Sequence, residues 1–134
     1  MQWRGTDSIY GESIFTSRYE VIGKYQLPLK ERFFYNMSFN SHDQNSYYGL
    51  IKFYAQQKIM FNQLYWEKEI KKHSMLIGAA YRYTWYDDNT VITQTNDTVA
   101  PKNKPNNVAL PGIFLQDEIK FNCNHKLLLS IKFY

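Results

Sequence analysis

Apolar and polar residues alternate along much of this chain. In the stretch from Phe33 to Asn40, Phe33, Tyr35, Met37 and Phe39 occupy one parity and Asn36, Ser38 and Asn40 the other. The pattern returns from Met75 to Trp85, where Met75, Ile77, Ala79, Tyr81, Tyr83 and Trp85 oppose Gly78, Ala80, Arg82 and Thr84. Successive side chains of an extended strand point to opposite faces, so a period of two predicts β-strands with one apolar and one wet face. Six strands are expected: Ser13–Leu27, Arg32–His42, Tyr54–Glu67, Ser74–Tyr86, Gly112–Phe121 and Lys126–Tyr134. The first places Phe15, Tyr19, Val21 and Tyr25 opposite Thr16, Arg18, Glu20 and Lys24. The third has a less clean phase: Ile59 and Phe61 share one parity, Leu64 and Trp66 the other. A bulge or a strand buried on both faces accounts for that. The fold class expected is all-β, an antiparallel up-and-down meander of about six strands. Aromatics towards the ends of the apolar face are the pattern of a transmembrane β-barrel, with lipid outside and water inside.

The connections are expected to alternate in length. Pro28 marks a tight turn at Leu27–Glu31, since proline cannot donate to a central ladder. A longer polar loop is expected over His42–Lys52, a short turn at Lys68–His73, the longest loop at Asp87–Ala109 and a tight turn at Asn122–His125. Short turns on one side and long loops on the other are the asymmetry of up-and-down membrane barrels.

Composition sharpens this picture. Tyr 12, Phe 9 and Trp 3 stand against only 6 Gly and 4 Pro in 134 residues, which favours sheet over disorder. No run approaches the length of a transmembrane helix; alternating strands average out as polar and leave a barrel open. The formal charge is +4, with basic residues spread along the chain. Aromatics interleaved with Lys and Arg are compatible with nucleic acid, but they follow strand period and carry no nucleic-acid motif, so no nucleic-acid partner is expected. Cys123 is the single cysteine, which excludes an intrachain disulfide and a cysteine metal cluster. No apolar stretch follows Met1–Gly5, so a barrel of this kind is expected to have lost a signal peptide or to be an internal piece of a longer protein.

Chemistry-bearing residues fall into two groups. Arg18, Glu20, Lys24, Asn36, Arg82, Glu118 and Lys120 lie on the predicted polar face. They are candidates to line a lumen; the plainer reading is cross-strand ion pairing with no ligand. His42, Asp43, Tyr47, Tyr48, Trp85, Tyr86, Asp87 and Asp88 are expected in or near loops as ligand contacts, the aromatics alternatively forming an interfacial girdle. Asp87, Asp88, Asn89 and Asp97 are hard oxygen donors, but their spacing matches no calcium loop, and His42 with Asp43 is too small a set for a metal. Asn36-Met37-Ser38 and Asn96-Asp97-Thr98 match the glycosylation sequon. There is no phosphate loop, nucleophile elbow or paired-histidine motif, and Cys123 with His125 lacks an orienting third group, so neither catalysis nor a cofactor is expected.

Several stretches resemble the barrel of bacterial TonB-dependent outer-membrane receptors, especially those of Bacteroidetes. They are Gly23–Pro28, Asn40–Gly49, Arg82–Thr90, Leu110–Glu118 and His125–Leu129, with Pro-Gly-Ile-Phe-Leu-Gln-Asp-Glu after a long loop the most specific. The resemblance covers nearly the whole chain after about Thr6. It implies a 22-stranded barrel filled by an N-terminal plug, active uptake of a siderophore, cobalamin or other large solute, and energy delivered through TonB. The 134 residues hold about six strands, no plug domain and no TonB box, so residues 1–134 read as a partial β-barrel segment of such a receptor. The partners implied are outer-membrane lipid, a plug domain, TonB and a transported small molecule, and the location implied is the bacterial outer membrane. A different class stays open: a small soluble β-barrel or β-sandwich that binds an apolar ligand, with its aromatics pointing inward.

Overall fold

A computed structural model describes residues 11–96, 99–100, 102–122 and 124–134. They form one antiparallel up-and-down sheet in the order β1-β2-β3-β4-β5-β6. The strands are β1 (Glu12–Gln26), β2 (Arg32–Tyr48), β3 (Ile51–Ile70), β4 (His73–Asp88), β5 (Asn106–Lys120) and β6 (Lys126–Phe133). The all-β meander matches the expectation from alternation. Among the described residues there is no second sheet and no α-helix, only a 3₁₀ turn at Val91–Thr93.

Several strands run further than expected, and each extension has a local reason. β2 continues through Ser41–Tyr48, where a polar loop was expected. Polar side chains do not interrupt a ladder if they find partners, and Gln44 Nε2 donates to Ser46 Oγ at 2.9 Å two residues along the strand. The break comes at Gly49, with a left-handed φ of 61°. The connection to β3 is therefore the two-residue turn Gly49-Leu50 rather than a long loop. β3 and β4 are likewise joined by Lys71-Lys72 alone, Lys71 taking φ 54°. β5 begins at Asn106 and includes Pro111. Its pairing with β6 runs only from Ile113 (opposite Phe133) to Lys120 (opposite Lys126). Asn106–Gly112 thus reaches past the end of β6, where the missing N–H of Pro111 forfeits no bond to that strand.

The chain divides into two compact units, which share the strands between them. In one, comprising described residues of 22–38, 60–83 and 109–134, the ambiguous phase of β3 resolves. Phe33 meets Trp66 (ring centroids 6.4 Å apart) and the Tyr35 hydroxyl donates to Asn62 Oδ1 on one face. On the other, Phe34 stacks on Tyr65 at 5.3 Å, and Asn36 Nδ2 donates to Gln63 Oε1 at 3.2 Å. Both parities of β3 carry large side chains here. Phe34 and Tyr65 are buried, whereas Met37, Leu64 and Ile77 on the opposite face are exposed. Lys24 Nζ caps the stacked pair, 4.8 Å from the Phe34 centroid.

The other unit comprises described residues of 11–21, 39–59 and 84–108. Lys58 Nζ lies 4.9 Å from the Trp85 ring centroid. The long connection is present but shorter than expected, running from Asn89 to Pro105.

Throughout, apolar burial is scant. Only Phe34, Ala55 and Tyr65 are buried apolar residues among those described, while Tyr19, Val21, Tyr25, Met37, Phe39, Met60, Leu64, Ile77, Tyr81, Ile113, Leu115, Leu127, Leu129, Ile131 and Phe133 are all exposed. The register of β5 with β6 puts Ile113, Leu115, Phe133 and Ile131 opposite one another in pairs, so their exposure is that of one continuous apolar surface.

Among Gly23, Gly78 and Gly112, Gly78 has the most crowded surroundings. A Cβ there would lie 2.6 Å from the Leu64 carbonyl oxygen, 2.6 Å from Phe114 Cζ and 2.7 Å from Tyr65 Cβ. At Gly23 the nearest atom is Met37 Cε, 2.9 Å away at the free end of a flexible chain. Gly78→Ala is expected to cost about 1–3 kcal/mol through overpacking, and Gly23→Ala less than about 0.5 kcal/mol. Denaturant midpoints of the two folded variants check this; equal midpoints would contradict the packing at Gly78.

Candidate functional site

The polar face carries its charges in short-range partnerships. Arg18 Nη2 donates to Glu20 Oε2 at 3.1 Å, and with the Asn40 amide oxygen turned inward Arg18 Nε also reaches it at 2.8 Å. Lys126 Nζ pairs with Glu118 Oε1 at 3.2 Å. Lys24 lies over Phe34, and Asn36 bonds Gln63. Arg82 and Lys120 are exposed. Of the seven residues expected on this face, Lys24 and Asn36 therefore belong to one cluster, around the Phe34–Tyr65 stack. Arg18 with Glu20 and Glu118 with Lys126 form separate ion pairs. Exposed pairs of this kind contribute about 0–1 kcal/mol each, so their role is to keep the face hydrated rather than to hold the fold.

Beside that stack lies a cleft of about 410 Å³, lined by Asn36, Gln63, Tyr65, Phe114, Gln116 and Lys132 among others. Gln63 and Tyr65 were not singled out from sequence, because the phase of β3 was unresolved. Their contacts with Asn36 and Phe34 assign the parity. Gly78 opens the space into which Tyr65 and Phe114 pack.

The second group is placed only partly as expected. Trp85 and Tyr86 lie near the end of β4, as the strand Ser74–Tyr86 implies, and β4 runs on through Asp87 and Asp88; His42 is within β2, as expected, but Asp43, Tyr47 and Tyr48 are in β2 too and not in a loop. The reason is that strand pairing outlasts the apolar pattern that was used to find it. Asp97 and Cys123 lie outside the described residues.

Asp87–Asp88 anchor the long connection instead of opening a donor cluster. Asp88 Oδ1 accepts from the Thr90 amide (2.9 Å), the Thr90 hydroxyl (2.8 Å) and the Thr93 hydroxyl (2.8 Å), and Oδ2 accepts from the Tyr86 hydroxyl (2.9 Å). Thr93 is fully buried and Asp88 nearly so. The Thr90 hydroxyl in turn caps the 3₁₀ turn by accepting from the Ile92 amide. Asn89 extends the β3–β4 ladder with its side chain: its Oδ1 accepts from Tyr54 N and its Nδ2 donates to the Lys52 carbonyl, both at 2.8 Å. Further along, Asn103 Nδ2 donates to Asp87 Oδ2 at 3.0 Å, and Gln94 bridges Asn103. The two described arms of the connection are thus paired antiparallel, Thr95 N donating to the Lys102 carbonyl and Lys104 N to the Thr93 carbonyl. With both Asp88 oxygens accepting from protein donors, the aspartates form a clasp, and among the described residues no group of three or more His, Cys, Asp or Glu is arranged to hold a metal.

Burial raises the pKa of Asp88, but the hydrogen bonds from Thr90, Thr93 and Tyr86 outweigh it and hold the carboxyl below its ordinary value. No protein family, curated protein or solved structure matches this chain.

A depressed folded-state pKa means that the clasp stabilises the loop fully above about pH 4, the unfolded value, and loses that contribution as pH falls through the lower folded value. Hydrogen exchange at the Ile92, Thr93 and Gln94 amides is expected to show local opening rise only as pH drops below about 4. Thr93→Val, which leaves the buried Asp88 amide without its acceptor, is expected to cost about 1–3 kcal/mol of local stability at neutral pH. Unchanged protection in that variant would contradict the clasp.

Proposed function

We propose that this chain forms part of the wall of a bacterial outer-membrane β-barrel of the TonB-dependent receptor type, and so contributes to active uptake of a large solute such as a siderophore or cobalamin. The observation that carries the reading is the exposed apolar face with amphipathic residues at both its margins. On β3, Lys58 approaches the Trp85 ring; ten residues along the same strand, Lys68 pairs with Glu31 at 2.7 Å and approaches the Trp66 ring at 5.8 Å. Ten residues of strand rise about 34 Å, and a tilt near 45° turns that into about 24 Å, close to the apolar band of a membrane barrel, about 25 Å tall. Between the two lysines the same parity reads Met60, Asn62, Leu64 and Trp66. Tryptophan with a lysine whose head reaches towards water is the chemistry of a membrane–water boundary.

In this reading the opposite face looks into a watery lumen, where Arg18, Glu20, Lys24 and Asn36 meet a plug domain or the passing solute. The long connection between β4 and β5 stands on the outer side. The polypeptide does no catalysis and holds no cofactor; TonB supplies the energy. The soluble alternative asks for inward-pointing aromatics, and Met37, Phe39, Leu64, Ile77 and Tyr81 are exposed.

The chain purified without detergent is expected to aggregate, and to recover its β signal in micelles or vesicles. A chain that stays folded and monomeric in plain buffer contradicts the membrane reading. As a finer test, Ile77→Arg on the apolar face is expected to cost about 2–4 kcal/mol of folding stability in a bilayer, while Gln63→Arg on the lumen side stays within about 1 kcal/mol. Equal costs would also count against it.

A further inference from the structure

We infer that the turn between β3 and β4 carries an anionic-lipid contact, made by Lys71 and Lys72 on the phosphates of the headgroup layer. The inference rests on the membrane reading and adds the partner of one boundary. Lys71 and Lys72 are the whole of that turn, and the left-handed backbone at Lys71 makes it a sharp exposed tip. The Lys120 amide donates to the Lys72 carbonyl at 2.8 Å, which fixes the end of β5 against the turn, while the Lys120 side chain keeps the parity of Glu118 on the lumen face. Lys71 and Lys72 are exposed, and neither takes part in an ion pair among the described residues.

The acids around them are mostly occupied. Asp117 pairs with His73 at 2.6 Å, Glu118 with Lys126, and Glu67 with Arg32 at 2.9 Å; Glu69 is exposed two residues before the turn. The tip is left with an excess of unpaired positive charge. Its depth also fits. Trp66 and Lys68 mark where the apolar face ends, and Lys71 and Lys72 follow Lys68 by three and four residues. Since Lys71 and Lys72 form the reversing turn, the tip stands at most about 10 Å of strand beyond Lys68, or about 7 Å along the membrane normal at a 45° tilt, within the headgroup layer outside the hydrocarbon. Lysines held near such a surface are drawn to anionic lipid, and the attraction fades with salt.

The test is flotation of the full chain with vesicles of pure phosphatidylcholine and vesicles containing about a third phosphatidylglycerol, at low and high salt. The native chain is expected to bind the anionic vesicles at least about tenfold more tightly at low salt, with the preference collapsing at high salt. The double variant Lys71→Gln, Lys72→Gln is expected to lose that preference while still associating with phosphatidylcholine. A control that removes the same charge elsewhere, Lys102→Gln, Lys104→Gln, is expected to keep it. Equal native binding to both vesicles overturns the lipid contact and leaves the membrane reading standing. Loss of preference in the control as well assigns the effect to net charge and overturns the contact. A native chain that binds neither vesicle overturns both.

Discussion

An apolar sheet surface has to be taken out of water by something, and the structure depends on what does so. Large side chains such as Leu64, Ile77, Leu129 and Phe133 stand exposed on the sheet, where burial of each contributes about 1.5–3 kcal/mol. Among the described residues no second sheet or α-helix is available to bury them, and the buried apolar residues are only Phe34, Ala55 and Tyr65. The ladder gives β2, β3, β4 and β5 a neighbour on both sides and leaves one edge each of β1 and β6 for further strands, since hydrocarbon requires every backbone polar group to be paired. In the proposed reading, lipid on the apolar side and water on the other removes the remaining difficulty, with the Trp66–Lys68–Glu31 and Trp85–Lys58 groups at its boundaries.

The same constraint explains the glycines and the aromatics of the wetter face. Phe34 and Tyr65 are stacked under Lys24, and Phe114 closes over Gly78, whose missing Cβ leaves room for it. Packing there is local, between neighbouring strands. The face therefore needs no interior of its own and keeps Asn36, Gln63, Gln116 and Lys132 available along a cleft.

Strand identity was legible wherever one face was apolar. Phe33 to Phe39 and Met75 to Trp85 alternate cleanly, and both stretches are strand. Strand ends were not legible, because hydrogen-bonded pairing needs no side-chain contrast. Ser41–Tyr48 is polar throughout yet continues β2 until Gly49, and Asn106–Pro111 looks like loop yet opens β5. The expected loop over His42–Lys52 consequently shrinks to two residues, and the contrast between short and long connections rests on Asn89–Pro105 alone. The Asp88 clasp was hidden for another reason: carboxylates near threonines read equally as cation donors, and only the geometry of Thr90, Thr93 and Tyr86 shows the oxygens occupied.

The most direct measurement of the central claim is a nitroxide scan of β3 from Met60 to Tyr65 in reconstituted vesicles, reading relaxation by oxygen, which concentrates in lipid, against relaxation by a water-soluble nickel chelate. Labels at Met60, Asn62 and Leu64 are expected to favour oxygen and labels at Phe61, Gln63 and Tyr65 to be shielded from it, so that the lipid signal alternates with a period of two. Nickel access at Leu64 equal to that at Gln63, with no alternation, would contradict a sheet that faces lipid on one side only.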